Sequence, residues 1–528
     1  MHKLFAVVLT LFLAGILGSC ASTRKPHEVT PALETIVSGK PVANVEPAVW
    51  ADVRAFYTQR EHAPAWVDNR RPTDRAADAI ALLNTARQHG FDPEEYGAPE
   101  LLAISQDVEK IDKESPERLE KVAEFDARLT AGLLAFGRDV AIGRSTSSKW
   151  KAQRKAPDYL AALEKAADGD VKDWLDVMRP PHPEYVALQK ALDALNGQQE
   201  KGGWVGVPAI SKPGASGPAV VALRQRLAMS GHFTGDPAAG GTYDADVESA
   251  VKSFQELHSI KATGIVDKDT LAVMNIPLDT RIRQVALNLQ RWRWMPDDLG
   301  DRHFMVNIPY YHLMAREQGK PVMDIRVVVG KVGNNTPIFS DEMETVVFSP
   351  YWNIPDSIAQ GETLPAIARD PNYLAKQNIE IMRVSGGERV TATDVEWDNP
   401  EALKGYAFRQ RPGAGNALGH VKFLFPNSHN VYLHDTPADN LFGKPTRAFS
   451  HGCVRVEEPE QLAKYVLREY PEWDEASIGS AMHAGVEKHV KLKEKVPVHI
   501  VYFTAWVDEN GGLHFQPDIY GYDSSAEN

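Results

Sequence analysis

The chain has 528 residues, of which 43% are hydrophobic and 24% are charged, and its formal net charge is −13. A chain of this length exceeds one hydrophobic core and predicts about three or four domains. The composition is that of a globular protein, and the negative charge excludes the global basic field typical of nucleic-acid binding. The two cysteines exclude a disulfide scaffold, and their number alone leaves the compartment open.

The first twenty residues predict export. His2 and Lys3 precede an apolar run, Leu4 to Leu17, which is followed by small residues and Cys20. A basic start, a short apolar core and small residues are typical of a secretory signal, and the run is too short for a membrane span. It resembles the lipobox of bacterial lipoproteins, which predicts a signal peptide over residues 1–20 and lipidation of Cys20. An ordinary cleaved signal that contains a cysteine is the alternative.

Residues 21–47 follow this leader and contain prolines among Ser, Thr and charged residues. The prolines are expected to break any helix in this stretch: Pro26, Pro31, Pro41 and Pro47. We predict an irregular tether between a membrane and the folded part of the chain. With a lipid anchor, the protein is expected in the periplasm, attached to the outer membrane.

Residues 48–204 follow a helical pattern that predicts a scaffold. Apolar residues recur three and four positions apart, as a buried helix face requires: Val122, Phe125, Leu129, Leu133 and Phe136. A single amphipathic helix is predicted within residues 277–300, with Ile282, Val285, Leu289 and Trp292 on its apolar face. A lone helix must bury that face, so we expect it to return to the scaffold.

Residues 205–276 predict a compact three-helix unit. Two apolar faces, Val220 to Leu227 and Val247 to Leu257, are separated by glycine turns, and Leu271 begins a third short helix. The order of these elements, with the turn Thr263 to Asp267 before the last helix, resembles the peptidoglycan-binding domain. A generic helical bundle would share the apolar spacing without needing those glycines.

Residues 301–525 change to an alternating pattern rich in Val, Ile, Phe and Tyr, which predicts about seven strands. The segment Glu509 to Gly512 predicts a hairpin turn, and one main helix is expected from Pro459 to Tyr470. Few helices among many strands argue for a β-sandwich or barrel-like core. The alternation lapses over residues 353–411, where we predict a partly helical capping insertion.

The candidate chemistry lies in the segment Ser450 to Arg455. Cys453 is the only cysteine outside the leader, and its polar neighbours predict a thiol with a lowered pKa that acts as a nucleophile. His434, at the end of an apolar strand, can serve as the base. Arg455 would share a face with Cys453 in an extended segment and could bind a substrate carboxylate.

The remaining residues of this segment have supporting roles. The amides of Gly452 and Cys453 are candidate donors to an oxyanion, while Ser450 and His451 are expected to be structural. Asp435 could orient His434, although a backbone carbonyl could do so equally well. The alternative for Cys453 is a buried, unreactive thiol. A zinc site is disfavoured because the ligand spacing is unlike that of zinc ribbons and no acidic or second cysteine ligand is nearby.

His434 followed by Ser450-His451-Gly452-Cys453-Val454-Arg455 resembles the signature of the L,D-transpeptidase (YkuD-like) catalytic domain. The segment from Ala417 to Asn427 and on to Pro437 is similar to the large periplasmic branch of that family. The resemblance implies a multidomain α+β protein: a mostly β, sandwich or barrel-like catalytic domain with a capping insertion, an all-α scaffold and a three-helix peptidoglycan-binding domain.

The resemblance also implies a reaction. Cys453 would attack the bond before the terminal D-alanine of a tetrapeptide stem, and His434 would protonate the leaving D-alanine. An amine of a neighbouring stem would then resolve the thioester into a 3→3 cross-link. Stem peptides and carbapenem-type inhibitors are the expected partners, without a cofactor or metal. Asp435 stands where shorter family members often have Gly or Ser, which leaves the third member of the site open.

Three other functions are compatible with the same residues. Water could resolve the thioester, giving a carboxypeptidase or a hydrolase that detaches proteins, or a lipoprotein lysine could be the acceptor. The signature cannot separate these because all share the acyl-enzyme half-reaction. A peptidoglycan-anchoring lipoprotein without catalysis is the non-enzymatic alternative.

Overall fold

The computed structural model describes residues 27–42, 45–144 and 147–524. Its contacts divide the chain into two compact units. The first contains residues up to 84 together with 93–136 and 158–175, and the second contains 85–92, 137–157 and the chain from 176 onward. Among the described residues, no helix has both the length and the apolar composition needed to cross a bilayer.

The first unit is helical. Its elements are α1 (Thr30–Ser38), α2 (Pro47–Gln59), β1 (Val67–Asp68), β2 (Arg71–Pro72), α3 (Asp74–Asn84), α4 (Ala98–Val108), α5 (Pro116–Ile142), α6 (Tyr159–Asp168) and α7 (Val171–Met178), the ends of α5 and α7 extending into the second unit. A buried carboxylate anchors its core: Asp126 accepts hydrogen bonds from the Tyr57 hydroxyl at 2.5 Å and the Trp66 amide at 2.7 Å. A satisfied buried carboxylate fixes the strands and helices around it.

The expectation that prolines break every helix between residues 21 and 47 is wrong for the described part. Pro31 lies in the first turn of α1, and Pro47 is the first residue of α2. Proline is tolerated in a first helical turn because those amides have no intrahelical acceptor. Leu33 and Val37 of α1 are buried, so this stretch packs against the fold.

The second unit begins with five helices: α8 (Pro183–Glu200), α9 (Pro218–Met229), α10 (Ala245–Leu257), α11 (Lys268–Met274) and α12 (Leu278–Trp292). Helices α9 to α11 enclose a small core of their own that includes Leu223, Val251 and Phe254. Asp244 and Asp267 cap α10 and α11 by accepting backbone amides. Helix α12 packs against α8, which belongs to the stretch predicted as scaffold.

A large mixed sheet follows. The strands are β3 (Arg302–Asn307), β4 (His312–Glu317), β5 (Lys320–Gly330), β6 (Phe339–Phe348), β7 (Trp352–Asn353), β8 (Ile379–Arg383), β9 (Arg389–Val390), β10 (Tyr406–Gln410), β11 (Val421–Leu424), β12 (Leu433–His434), β13 (Ala448–Ser450), β14 (Val454–Val456), β15 (Lys488–Val501), β16 (Ala505–Val507) and β17 (Leu513–Phe515). Eight of them pair in the order β5-β14-β12-β11-β6-β15-β3-β4, and β4 also pairs with β5, which closes the ring. Strand β13 adds to β5, and β16 and β17 form the predicted hairpin.

Residues 352–410 form a separate four-stranded sheet in the order β7-β10-β8-β9. Short helices accompany it: α13 (Asp356–Ile358), α14 (Leu364–Arg369), α15 (Tyr373–Lys376) and α16 (Pro400–Leu403), with a π-helical turn at 359–363. Ile381 and Phe408 lie in its own small core. The loss of alternation in the sequence therefore marks a second small sheet, built of strands too short to give a clear period.

Helices α17 (Pro459–Leu467) and α18 (Glu475–His483) complete the second unit. The prediction of a multidomain protein with helical regions and a large β-sheet is confirmed.

Candidate active site

Two adjacent parallel strands, β12 and β14, build the candidate site. Leu433 pairs with Val454 and His434 pairs with Arg455. Because side chains alternate along a strand and registered residues share a face, Tyr432, His434, Cys453 and Arg455 lie on one face. The Tyr432 and His434 rings are 5.6 Å apart, and the Val454 amide donates to the Tyr432 carbonyl at 3.2 Å, which continues the register toward Cys453.

His434 is held in one tautomer. Its Nδ1 donates to the Asp435 carbonyl at 2.5 Å, and since a carbonyl can only accept, the lone pair of the ring lies on Nε2. The side chain is buried, and burial together with the nearby Arg455 guanidinium lowers the pKa of His434 to about 3. The imidazole is therefore neutral at physiological pH and can accept a proton.

Cys453 is a free thiol and is partly buried. Burial raises its pKa, against smaller lowering effects from Tyr432 and Arg455. The expectation of a lowered thiol pKa is therefore wrong for this structure, because desolvation disfavours the thiolate more than the neighbours stabilise it. The Sγ atom lies 3.8 Å from the Asn430 carbonyl oxygen, a weak hydrogen-bond acceptor for a neutral thiol.

Arg455 has no carboxylate within ion-pair distance among the residues that the structure describes. Its Nε is buried without a hydrogen-bond partner in the same part of the chain. Burial lowers the pKa of Arg455, as expected for a guanidinium whose charge lacks a counter-ion. A cation of this kind beside Cys453 can pair with a carboxylate brought by a substrate.

The loop before Cys453 is closed by Ser450. The Ser450 hydroxyl donates to the Cys453 carbonyl at 2.6 Å and accepts from the Gly452 amide at 3.1 Å. Gly452 has φ of +121°, a conformation that favours glycine. The Gly452 amide is therefore engaged and is not a free oxyanion donor, contrary to the expectation from the sequence. The Cys453 amide has no acceptor within the described chain.

Thr336 fixes the direction of that amide. Its fully buried hydroxyl donates to the Gly452 carbonyl at 2.8 Å and accepts from the Gly330 amide at 2.8 Å. In a trans peptide the carbonyl and the following amide point in opposite directions. Since Thr336 holds the Gly452 carbonyl, the Cys453 N–H points away from Thr336.

Asp435 does not orient His434 through its carboxylate. That carboxylate accepts the backbone amides of His420 at 2.7 Å and Thr436 at 2.6 Å, and burial raises its pKa. A Cβ at Gly419 would meet this carboxylate at 2.2 Å, so the close approach requires glycine. Of the two alternatives left by the sequence, the structure shows the backbone carbonyl of Asp435 as the partner of His434.

His451 points to the insertion. Its Nε2 lies 2.8 Å from the Glu362 carboxylate, in the π-helical turn of residues 359–363. The contact joins the loop beside Cys453 to the four-stranded insertion. Among the described residues, no group of three or more His, Cys, Asp or Glu is placed to hold a metal ion. The predicted lipidation site, Cys20, lies outside those residues.

Three contributors to the site were missed by the sequence analysis: Tyr432, Thr336 and Glu362. Tyr432 could have been found, because it lies two residues before His434 and strand alternation places both on one face. Thr336 and Glu362 are distant in sequence from Cys453, and no local pattern marks them. Their contribution depends on which strands become neighbours.

Comparisons with known proteins match three separate parts of the chain. Residues 301–500 match a family described as "L,D-transpeptidase catalytic domain". Residues 216–274 match a "Putative peptidoglycan binding domain" and residues 51–192 match a "Scaffold domain". Residues 301–500 are therefore similar to the L,D-transpeptidase catalytic domain, and two earlier stretches are similar to a scaffold domain and a peptidoglycan-binding domain.

One similar protein is a "Putative L,D-transpeptidase" of Haemophilus influenzae, 36% identical over 241 residues. The match covers 46% of this chain and 48% of that protein, so the chain spans about half the length of the curated relative it matches.

Two solved structures are also similar. An L,D-transpeptidase from Stackebrandtia nassauensis has 15% identity and a TM-score of 0.22, with 56% of this chain and 96% of that chain covered. An L,D-transpeptidase in complex with imipenem has 12% identity and a TM-score of 0.18, with 38% and 59% covered.

Proposed function

We propose that this protein is a cell-wall L,D-transpeptidase that forms 3→3 peptidoglycan cross-links through a thioester on Cys453. The observation that carries the proposal is the β12–β14 register, which brings Cys453, His434 and Arg455 to one face. A nucleophile, a base with a free lone pair and an unpaired cation are the groups that acyl transfer to a carboxylate-bearing peptide requires.

The first half-reaction is acylation. His434 Nε2 takes the proton of the Cys453 thiol as Sγ attacks the carbonyl carbon that precedes the terminal D-alanine. The Cys453 amide donates to the developing oxyanion. The C–N bond then breaks, and the leaving D-alanine amine takes the proton from His434. The thioester remains on Sγ, and the imidazole is again neutral.

The second half-reaction transfers the acyl group. The side-chain amine of a neighbouring stem attacks the thioester carbonyl and gives a proton to His434 Nε2. The C–S bond breaks, and the thiolate of Cys453 recovers that proton. Because acceptor and leaving group are both amines, the same base and the same oxyanion donor serve both steps.

Arg455 and the insertion give the site its substrate preference in this proposal. Arg455 pairs with a carboxylate of the donor stem, which satisfies a buried guanidinium. The insertion of residues 353–411 acts as a cap over the site, and its contact through Glu362 and His451 supports this role. Lipidation of Cys20 would anchor the enzyme to the outer membrane with the catalytic domain in the periplasm.

The test is an incubation of purified protein with tetrapeptide muropeptides, followed by separation of the products. Cross-linked dimers and free D-alanine support the transpeptidase. Tripeptide and D-alanine without dimers would instead show a carboxypeptidase, and transfer to a lipoprotein lysine would show an attaching enzyme. Cys453→Ala must abolish product and carbapenem acylation while sacculus binding persists. Acylation that survives this substitution would place the nucleophile elsewhere.

A further inference from the structure

A cavity of about 730 Å³ lies beside helix α12, between the three-helix domain and the C-terminal segment. We name it the junction cavity. Its wall includes His258 from the end of α10, Arg281 and Gln284 from α12, and Phe515 and Asp518 from the segment around and after β17. A volume of this size accommodates a short peptide.

The surroundings of this cavity contain an excess of buried positive charge. Arg226, Arg281 and Arg291 are 2%, 5% and 3% exposed, respectively. Only Arg291 has a carboxylate partner in the described chain, Asp523 at 2.8 Å. Arg281 donates to Gln284 at 2.8 Å and lies over the Phe515 ring, while Arg226 donates to the Met274 carbonyl and stacks on Trp204.

The carboxylates on the wall are already engaged. Asp518 accepts hydrogen bonds from the Tyr502 hydroxyl and from the Tyr522 and Asp523 amides. Asp523 accepts from Thr504 and pairs with Arg291. Burial lowers the pKa of Arg281 to about 10, with Asp523 only partly opposing the effect. A buried guanidinium without a counter-ion is costly, and an anion in the cavity would offset that cost.

Part of the cavity wall is apolar. Val273, Ile276, Ala286 and Leu287 line the cavity together with Phe515. His258 adds no charge, because burial holds its pKa well below the usual value. The cavity therefore combines one unpaired cation with alkyl and aromatic surface. This combination suits a carboxylate that carries short alkyl side chains.

We propose that the junction cavity binds a peptidoglycan stem peptide, with a stem carboxylate on Arg281 and alanine methyl groups on the apolar wall. The identity of the ligand rests on the proposed function, since stem peptides combine several carboxylates with alanine side chains. The junction cavity is distinct from the Cys453 site, because none of the residues that line it is among those described around Cys453. It would hold a second stem on the enzyme while Cys453 carries the first.

The test is calorimetric titration of a stem tripeptide, L-alanyl-γ-D-glutamyl-diamino acid, into the Cys453→Ala protein. Arg281→Met in that background should lower the affinity of one binding event roughly 10- to 100-fold, the range for a lost charge-assisted hydrogen bond. Arg455→Met should weaken only the other event. Arg283→Gln is the matched control, because Arg283 also lines the cavity on α12 but is exposed and pairs with Asp279.

The outcomes separate the two hypotheses. If Arg281→Met binds the tripeptide with the same isotherm as its parent protein, the proposed junction site is overturned. This conclusion does not depend on the result of the muropeptide assay for Cys453. Glutarate that binds as tightly as the tripeptide would reduce the site to a general carboxylate site and overturn the stem assignment. If Arg281→Met fails to fold, Arg281→Lys keeps the charge without the planar fork and should still weaken binding. Thermal unfolding without ligand supplies a second measurement. If Arg281 serves binding, Arg281→Met should unfold at the wild-type temperature or above it. If Arg281 had only a structural role, Arg281→Met would unfold at a lower temperature than the wild type.

Discussion

Thr336 determines where the amide of Cys453 points, so Thr336→Val tests the oxyanion assignment directly. The substitution preserves the shape of the side chain and removes the hydroxyl. Two hydrogen bonds of 2.8 Å disappear, and the Gly330 amide and Gly452 carbonyl remain buried without their partner. The Gly452–Cys453 peptide can then rotate, because nothing else in the described chain holds that carbonyl.

The magnitude follows from these two groups. A buried polar group left unsatisfied costs about 1–3 kcal/mol, so Thr336→Val should lower the free energy of unfolding by roughly 2–6 kcal/mol. An oxyanion donor contributes about 10²- to 10³-fold to the rate. Since the Cys453 amide is still present but no longer held, we expect acylation to slow by roughly 10²-fold.

The assay is the pseudo-first-order rate of carbapenem acylation, followed by mass spectrometry at a temperature where every variant is folded. Thr336→Ser keeps the hydroxyl and should acylate within a few-fold of the wild type. Leu462→Ala, in the buried face of α17, supplies a comparable loss of about 2–5 kcal/mol away from the loop. If Thr336→Val is destabilised like Leu462→Ala but acylates at the wild-type rate, the amide is not oriented by Thr336.

Three further predictions follow from the buried polar groups. Burial lowers the pKa of His499 to about 4, so the folded protein loses stability as the pH falls from 6.5 toward 4. In His499→Gln, the free energy of unfolding in urea should fall by about 3 kcal/mol less over that pH range. Tyr432→Phe removes a hydroxyl that lowers the pKa of Cys453, so iodoacetamide alkylation at pH 8 should slow several-fold. Asp435→Asn should cost about 1–3 kcal/mol of stability yet leave acylation within about tenfold, because His434 binds the carbonyl.

The first two predictions have control variants, and the third has an outcome that would contradict it. His483→Gln, at an exposed position, is the matched histidine control. An unchanged dependence of the unfolding free energy on pH in His499→Gln would contradict the prediction. Tyr465→Phe, on α17, is the control and should not change the alkylation rate of Cys453. If Tyr432→Phe and the wild type are alkylated at equal rates, the Tyr432 hydroxyl does not influence Cys453. Loss of acylation beyond about 10³-fold in Asp435→Asn would mean that the carboxylate orients His434 after all.

The sequence predicted the elements with strong local periodicity. The three-helix unit and the hairpin between β16 and β17 are present, since glycine turns and apolar spacing are local signals. Helix α1 was missed because prolines were interpreted only as helix breakers, although Pro31 lies in a first turn. The strands β7 to β10 were missed because none exceeds five residues, too short for two-residue alternation to be distinguished from a loop.

The sequence selected Cys453, Arg455 and His434 as site residues, but it could place only the first two relative to each other. Cys453 and Arg455 are two residues apart, and alternation alone places them on one face. The parallel pairing that brings His434 beside Arg455 depends on the long connection between β12 and β14, whose path no local pattern determines. The pKa of Cys453 was predicted in the wrong direction, because a sequence shows which groups are near but not how much water is excluded.

The resting site holds a neutral thiol beside a neutral imidazole, and Arg455 contributes to that state. After burial, its unpaired charge is the second cause of the low pKa of His434. A carboxylate that pairs with Arg455 cancels this charge and raises the basicity of His434 Nε2, which improves its match to the thiol proton. The same pairing weakens the stabilisation of a free thiolate by Arg455. In the proposed mechanism, a donor stem that pairs with Arg455 therefore favours proton transfer concerted with attack, and Cys453 gains a stronger base when that stem is bound.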